Sequence, residues 1–292
     1  MFVPGHNDRL LKSASRSDAD VILFDLEDSV QPVENKKIAR EKIKEMIAAG
    51  AFNKHVVFAR INDRESGQLL KDLYSLTIEG VHGFMYPKST EAGDVYFIDK
   101  LLETIEYEKN IPIGTLKLIP LIETAAAVLN AQEIIKASNR VVAIAFGCED
   151  FITDLRGIHD SEGISIYNPR ALIAMAARAN GVIPVDTVHI KVHDLEDLEK
   201  NLTLSKKLGY EGMLVLHPKE INIVHRYYSP TEEDLNEAKD ILRLSEEAES
   251  QNKGVAIMNG KFIGPPMVAS AKLLLMKDEL IKSKKKLITS TR

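Results

Sequence analysis

Two apolar runs mark the ends of the stretch Lys117 to Asp150. Leu118-Ile119-Pro120-Leu121-Ile122 stops at Glu123, and Val141-Val142-Ala143-Ile144-Ala145-Phe146 stops at Gly147-Cys148-Glu149-Asp150. Each run is short, apolar and closed by a turn signal, the pattern of a strand buried on both faces. Between them, Thr124 to Ala137 reads as a helix with Thr124 as its N-cap. The unit is strand, helix, strand, with a carboxylate at the exit of each strand. The rim of a buried parallel sheet holds carboxylates only where positive charge meets them. A divalent cation is the simplest such charge.

Working outward, the same alternation runs through most of the chain. Met1 to Gly5, Val21 to Phe24, His55 to Ala59 and Val81 to Tyr86 read as strands before the central pair, and Ile183 to Ile190 and Gly212 to Leu216 after it. Helices are expected at His6 to Ser15, Glu34 to Ala49, Gln68 to Leu76, Val95 to Glu108 and Leu195 to Leu208. Another is expected to open at Asn168-Pro169-Arg170 and end before Gly181. Eight short apolar runs separated by helices, without two-residue hairpin turns, predict parallel strands with right-handed crossovers. The fold class is α/β, and a (β/α)8 TIM barrel is the first choice. An open doubly wound sheet is second, but the glycine-rich phosphate loop that usually announces it is missing after the first strand.

The pattern changes near Ser229. Pro230 to Ser250 reads as a charged helix and Gly254 to Gly264 as strand, turn, strand around Asn259-Gly260. A further helix begins at Pro265-Pro266, and Lys282 to Lys286 reads as a solvated tail. The division expected is a barrel with the active-site mouth over 1–228 and a C-terminal helical extension over 229–292, packed on a neighbouring subunit.

Composition is that of an ordinary globular chain, with 45% apolar and 28% charged residues and a net charge of −5. Nothing in that balance draws nucleic acid or an anionic membrane to the whole surface. A single cysteine, Cys148, rules out an internal disulfide and reads as a packing residue. No run approaches the roughly 18 apolar residues of a membrane span, and no secretory pattern opens the chain, so it reads as cytoplasmic.

In a barrel, residues just past the strand ends share one mouth. Here these are Asp25, Glu27, Asp28, Arg60, Lys88, Glu123, Glu149, Asp150 and His217. Carboxylates with two cations suit a hard metal and an anionic substrate; Mg2+ takes one or two protein carboxylates plus waters and substrate oxygens. No zinc spacing is present. Structural alternatives stand beside these roles. Asp28 serves equally as a turn or helix cap, Glu123 as a helix-dipole partner, Arg60 as a bridge to Asp25 or Glu27, and His217-Pro218 as a turn.

Several motifs occur together in order: Phe2-Val3-Pro4-Gly5, Phe24-Asp25-Leu26-Glu27-Asp28-Ser29-Val30, Arg60-Ile61-Asn62, Pro87-Lys88, Ile122-Glu123-Thr124-Ala125-Ala126, Ala145-Phe146-Gly147-Cys148-Glu149-Asp150 and Asn259-Gly260-Lys261. Over nearly its whole length the chain resembles the citrate lyase β-subunit family, within the malyl-CoA lyase and HpcH/HpaI aldolase superfamily. The resemblance implies a Mg2+-dependent barrel that cleaves a 3-hydroxyacyl thioester (citryl, citramalyl or malyl) on CoA or an acyl carrier protein. The products are an acyl thioester and a 2-keto acid such as oxaloacetate. It implies Glu123 and Asp150 as metal ligands and Arg60 as the catalytic residue at the reacting carbonyl. Arg60, Glu123, Asp25, Glu27, Pro4 and Gly5 would bind substrate. It also implies a homotrimer or hexamer, and citrate lyase α and γ (acyl carrier) subunits as partners.

Two positions depart from the family pattern. Gly264 stands where an acid/base Asp often follows the Asn-Gly-Lys turn, delivered in several relatives to a neighbouring subunit. Ala127 stands where Gly is common. Two other readings stay open: a free-substrate pyruvate or oxaloacetate aldolase of the same superfamily and, given Gly264, a non-catalytic thioester-binding paralogue.

Overall fold

The computed structural model describes residues 1–159, 163–251 and 256–290. The chain divides into two compact units, Met1–Val224 and His225–Arg292.

The first unit alternates strand and helix: β1 (Phe2–Pro4), α1 (Asp8–Arg16), β2 (Val21–Asp25), α2 (Glu34–Ala48), β3 (Val56–Arg60), α3 (Leu69–Leu76), β4 (Gly83–Tyr86), α4 (Ala92–Glu108) and β5 (Lys117–Ile122). It continues with α5 (Ala125–Leu129), α6 (Ala131–Lys136), β6 (Ala143–Phe146), α7 (Cys148–Leu155), α8 (Ile164–Ala179), β7 (Ile183–Asp186), α9 (Leu195–Leu208), β8 (Gly212–Met213) and α10 (Pro218–Tyr228), whose last turn passes into the second unit. The strands lie in one parallel sheet in the order β1 to β8. Phe2 N–H donates to Val215 O at 2.9 Å, joining the first strand to the segment after the last and closing the barrel.

Alternation along each strand decides what fills the interior. Leu23, Phe58, Met85, Ile119, Leu121, Ala143, Ala145 and Leu214 form one buried cluster. Residues one step away, such as Phe24, Phe84, Ile122, Ile144 and Phe146, are as buried but face the other way, toward the helices. Two steps beyond Leu23, Phe58 and Leu121 come Asp25, Arg60 and Glu123. The interior-facing positions therefore turn from apolar to charged at the C-terminal rim, on β2, β3 and just past β5.

The expected helix from Thr124 to Ala137 is two short helices that meet at Asn130, and Thr124 caps the first by accepting from Ala127 N–H at 3.1 Å. The helix expected to open at Asn168-Pro169 begins instead at Ile164, and Pro169 lies inside it. Gly163, at φ 71°, supplies the entry turn, and the proline forfeits one hydrogen bond to the preceding turn. β7 stops at Asp186 and β8 at Met213, shorter than their apolar runs. Helices α7 and α10 carry no sequence expectation at all.

A buried ion cluster ties the barrel's lower end. Arg140, before β6, donates to both oxygens of Glu106 at 2.8 and 2.6 Å, to Asp99 at 2.5 Å and to Leu116 O at 3.0 Å. Glu106 also accepts from Gly114 and Leu116 N–H, each at 2.8 Å, so it pins the approach to β5 as well.

In the second unit, α11 (Glu232–Ser250) opens on a capping box between Thr231 and Asp234. The strands β9 (Ala256–Met258) and β10 (Lys261–Ile263) pair antiparallel, with Asn259 (φ 50°) and Gly260 (φ 74°) making the turn. The start of the expected hairpin, at 254–255, lies outside the described residues. α12 (Pro265–Ser290) takes in Lys282 to Lys286, which are helical rather than a loose tail. Lys282 pairs with Asp278 one turn back at 2.7 Å.

Glu106→Gln removes one charge from a buried pair and leaves Arg140 short of its partner. The variant should lose about 3 kcal/mol, read as an earlier urea midpoint. The rim residues at the opposite end should keep their function.

Candidate active site

A cleft of about 500 Å³ opens at the C-terminal rim, lined by Pro4, Asp25, Asp28, Arg60, Glu123 and Asp150 among others. The charged side comes from β2, β3 and the segments after β5 and β6. The arc from β7 through β8 to β1 is apolar, with Val188, Leu214, Leu216 and Phe2.

The pairing of β2 with β3 sets Asp25 directly beside Arg60. The two side chains meet in a fork: Arg60 Nε donates to Asp25 Oδ1 at 2.8 Å and Nη2 to Oδ2 at 2.7 Å. Arg60 Nη1 lies 2.9 Å from Glu27 and 3.3 Å from Asp28, and the guanidinium carbon sits 5.0 Å from the Phe2 ring centre. Burial alone would raise the Asp25 carboxyl, but the hydrogen bonds and charge of Arg60 outweigh it and hold the group below the usual carboxylate range. Burial opposes the Arg60 charge too; the hydrogen bond to Asp25 and that residue's charge overcome it and raise the guanidinium. Asp25 takes two of the five guanidinium N–H donors, and Nη1 pairs in charge with Glu27 and Asp28 without a hydrogen bond to either.

Glu123 follows β5 and is 2% exposed. Its Oε1 accepts from Lys88 N–H at 2.5 Å, an amide aimed by a left-handed backbone at Lys88 (φ 52°). A Cβ on Gly147 would stand 2.9 Å from Glu123 Cβ and Oε2, so the first residue after β6 must be small for the carboxylate to occupy its place. Asp150, in the first turn of α7, is exposed on the same cleft.

Burial pushes two rim carboxylates toward their neutral forms. Burial, with the charges of Glu27 and Asp150 added, pushes Glu123 up to about 8, although the Lys88 amide pulls the other way. Burial likewise raises Glu27 to about 7 against the pull of Arg60. The donor set Glu123 and Asp150, with water and substrate oxygens for the rest, would suit a hard divalent cation. Among the described residues no group of three or more His, Cys, Asp or Glu side chains is placed to hold a metal ion.

The other sequence candidates fall into place around this cleft. Gly5 is buried beneath Pro4, where a Cβ would come 2.8 Å from Ile43 Cδ1, and its N–H donates to Asp25 O at 3.0 Å. Lys88 Nζ bonds Asp63 at 2.7 Å and lies 3.7 Å from Glu27. Cys148 is buried, and burial pushes its thiol up to about 12, which disfavours the thiolate. Glu149 faces His159 at 3.1 Å, and His217 takes the Lys219 N–H at 3.1 Å in a local turn. Thr187, which no sequence signal marked, lines the cleft and accepts the Cys148 N–H at 3.2 Å. Gly264 belongs to the second unit, at the entry to α12; among the described residues a Cβ there meets only Pro266 Cδ, at an ordinary contact of 3.7 Å.

The HpcH/HpaI aldolase/citrate lyase family model matches residues 1–218. The citrate lyase subunit beta of Leuconostoc mesenteroides subsp. cremoris is 33% identical, covering 94% of this chain and 91% of that protein. An L-malyl-CoA/beta-methylmalyl-CoA lyase of Cereibacter sphaeroides is 29% identical, covering 96% and 94%. A crystal structure of the protein CitE from Mycobacterium tuberculosis, in complex with magnesium, acetoacetate and coenzyme A, superposes with a TM-score of 0.73 at 26% identity, covering 95% of this chain and 96% of that one. Barrel, rim and sequence agree, and the chain belongs to the HpcH/HpaI aldolase/citrate lyase family.

Proposed function

We propose that the protein is a Mg2+-dependent carbon–carbon lyase acting on a 3-hydroxyacyl thioester: citryl, citramalyl or malyl, on CoA or an acyl carrier protein. The observation that carries the reading is one rim holding a forked Asp25–Arg60 pair beside two carboxylates, one of them buried. The relatives' malyl-CoA lyase activity and the coenzyme A and magnesium bound by CitE support it.

Glu123 and Asp150 would hold the cation. Bound there, Mg2+ supplies Lewis-acid polarisation of the keto-acid oxygens. The chain's own residues do the rest. Loss of the 3-hydroxyl proton lets the C2–C3 bond break, its electron pair passing into the thioester as an enolate, with the keto acid as the other product. Protonation of the enolate carbon completes the acyl thioester. Arg60, through an N–H that Asp25 does not take, steadies the enolate oxygen in a buried setting. Asp25 and Glu27 hold the guanidinium in orientation, and Pro4 shapes the thioester entry over Gly5. The apolar arc of β7, β8 and β1 receives the uncharged part of the thioester arm. Either water or another side chain of the rim handles the proton that the family's Asp would carry at position 264.

The C-terminal unit is assigned to contact with a neighbouring copy in a homotrimer or hexamer. Leu273, Met276 and Leu280, which share one face of α12 and are exposed, support that assignment. In a multi-subunit lyase the α and acyl-carrier subunits would be further partners. Gly264 favours a second reading, a thioester-binding paralogue without turnover.

With citryl-CoA, citramalyl-CoA and malyl-CoA supplied in turn, one should release its keto acid with Mg2+ and none with EDTA. No release from any of them, with Mg2+ binding shown separately, would favour the second reading and make Gly264→Asp the next variant. Arg60→Ala should lower kcat by about 10²–10³-fold while Mg2+ affinity stays within about twofold; intact turnover would remove Arg60 from the mechanism.

Protons and Mg2+ compete for Glu123. Its folded pKa lies above the unfolded value, so the fold favours the neutral acid. The metal-free protein should therefore lose stability as pH rises from about 4.5 through about 8. Mg2+ should restore that loss, and its affinity should weaken as pH falls below about 8. Thermal midpoints at pH 5 and pH 8, with and without Mg2+, check both signs.

A further inference from the structure

Beneath the rim lies a polar network that the lyase reading leaves unexplained. Lys36, on α2, is 6% exposed, and its ammonium makes three hydrogen bonds: to Leu26 O at 2.9 Å, Glu27 O at 2.9 Å and Asn62 Oδ1 at 2.5 Å. Asn62, just past β3, returns its own Nδ2 to Leu26 O at 2.9 Å and to Asp72 Oδ2 at 2.6 Å. Asp72 on α3 also accepts from Asn62 N–H at 2.9 Å and from Arg40 Nη1 at 2.7 Å. Lys36, Arg40, Asn62 and Asp72 are all buried.

Burying an ammonium is unfavourable unless every donor is used. Here three acceptors converge, and only a –NH3+ group offers three donors from one atom. The two carbonyls it takes are those of Leu26 and Glu27, the peptides between Asp25 and Asp28. With these carbonyls drawn toward α2, the side chains of the same segment are free to face Arg60: Glu27 at 2.9 Å and Asp28 at 3.3 Å. Asp25 closes the loop on itself by accepting Glu27 N–H at 3.0 Å and Ser29 N–H at 3.2 Å. The segment is thus held from below by Lys36 and from within by Asp25.

We infer that Lys36 is a positioning residue for Arg60: its buried ammonium fixes the Leu26–Glu27 peptide so that the rim carboxylates set the guanidinium's orientation. Displacements of about 1 Å at such a site cost about 100-fold in rate. The inference rests on the lyase reading for its kinetic consequence and on geometry alone for its structural one, so it is tested by both.

In Lys36→Met, kcat on the turned-over thioester should fall about 100-fold, with KM and Mg2+ affinity within about threefold of wild type. Lys36→Arg, which keeps the charge and the donors, should recover kcat to within about tenfold. Hydrogen exchange of the amides of Leu26, Glu27 and Ser29 should quicken at least about tenfold in Lys36→Met. Glu106→Gln, which weakens the fold at the other end of the barrel, should leave kcat unchanged and quicken those amides no more than it quickens the other slow amides of the barrel. All measurements belong well below each variant's unfolding temperature; if Lys36→Met does not fold, Lys36→Gln, with two donors and no charge, carries the same readouts. Unchanged rim exchange, unchanged kcat, or an equal kcat loss in Glu106→Gln would each overturn the inference. Absence of turnover in the wild type would instead count against the lyase reading, and the exchange result would then decide the positioning role by itself.

Discussion

The pairing of β2 with β3 is the constraint on which the rim depends. It places Asp25 and Arg60 on one rung, at the point where the interior positions change from apolar to charged. A one-residue slip would turn both side chains outward among the helices and put Phe24 and Ala59 at the mouth. The apolar layer just below, Leu23 beside Phe58, resists that slip, because the same shift would remove both from the interior. Site geometry and core packing are therefore one choice of register, and the core's hydrophobic burial holds the charged pair in place.

The same parity argument reaches Glu123. Leu121 faces the interior, so Glu123 does too, and the pairing of Leu121 with Ala145 brings Gly147 alongside it. A glycine there removes the one atom that would collide with the carboxylate. Asp150 comes from a different device, the first turn of α7, and stays in water. The two carboxylates differ as their settings do. The buried one is pushed toward its neutral form, and the exposed one adds to that push.

Much of this was legible in the sequence because buried parallel strands write themselves as short apolar runs, and a strand's last inward residue is the natural place for a charge. Thr124, Leu195 to Leu208 and the Asn259-Gly260 turn read correctly for local reasons: a cap, a helical period and a left-handed pair. Where local chemistry has two outlets, the reading erred. Pro169 looks like a helix start, yet Gly163 upstream offered an earlier one. Lys282 to Lys286 look like a solvated tail, yet a helix with Asp278 one turn back accommodates them. The apolar runs of β7 and β8 outlast their ladders because residues past the strand ends, such as Val188 and Leu216, wall the cleft instead of pairing.

Lys36 shows the limit most sharply. In Glu34-Asn35-Lys36-Lys37-Ile38-Ala39-Arg40 it is one of several charges on an amphipathic helix; the 36/39/43 spacing sets it on the face of Ala39 and Ile43 and leaves Lys37 outside, but names no partner for its ammonium. The partners are tertiary: α2 crosses behind the rim, and carbonyls from β2's exit and an amide from β3's exit meet at a single point. A backbone that turns its side chains toward a ligand must turn some carbonyls away from it, and those carbonyls need donors. The charged rim therefore creates a demand for buried donors on its far side. An active site at a strand exit comes with a second polar layer, and that layer can be found only once the strands are in register.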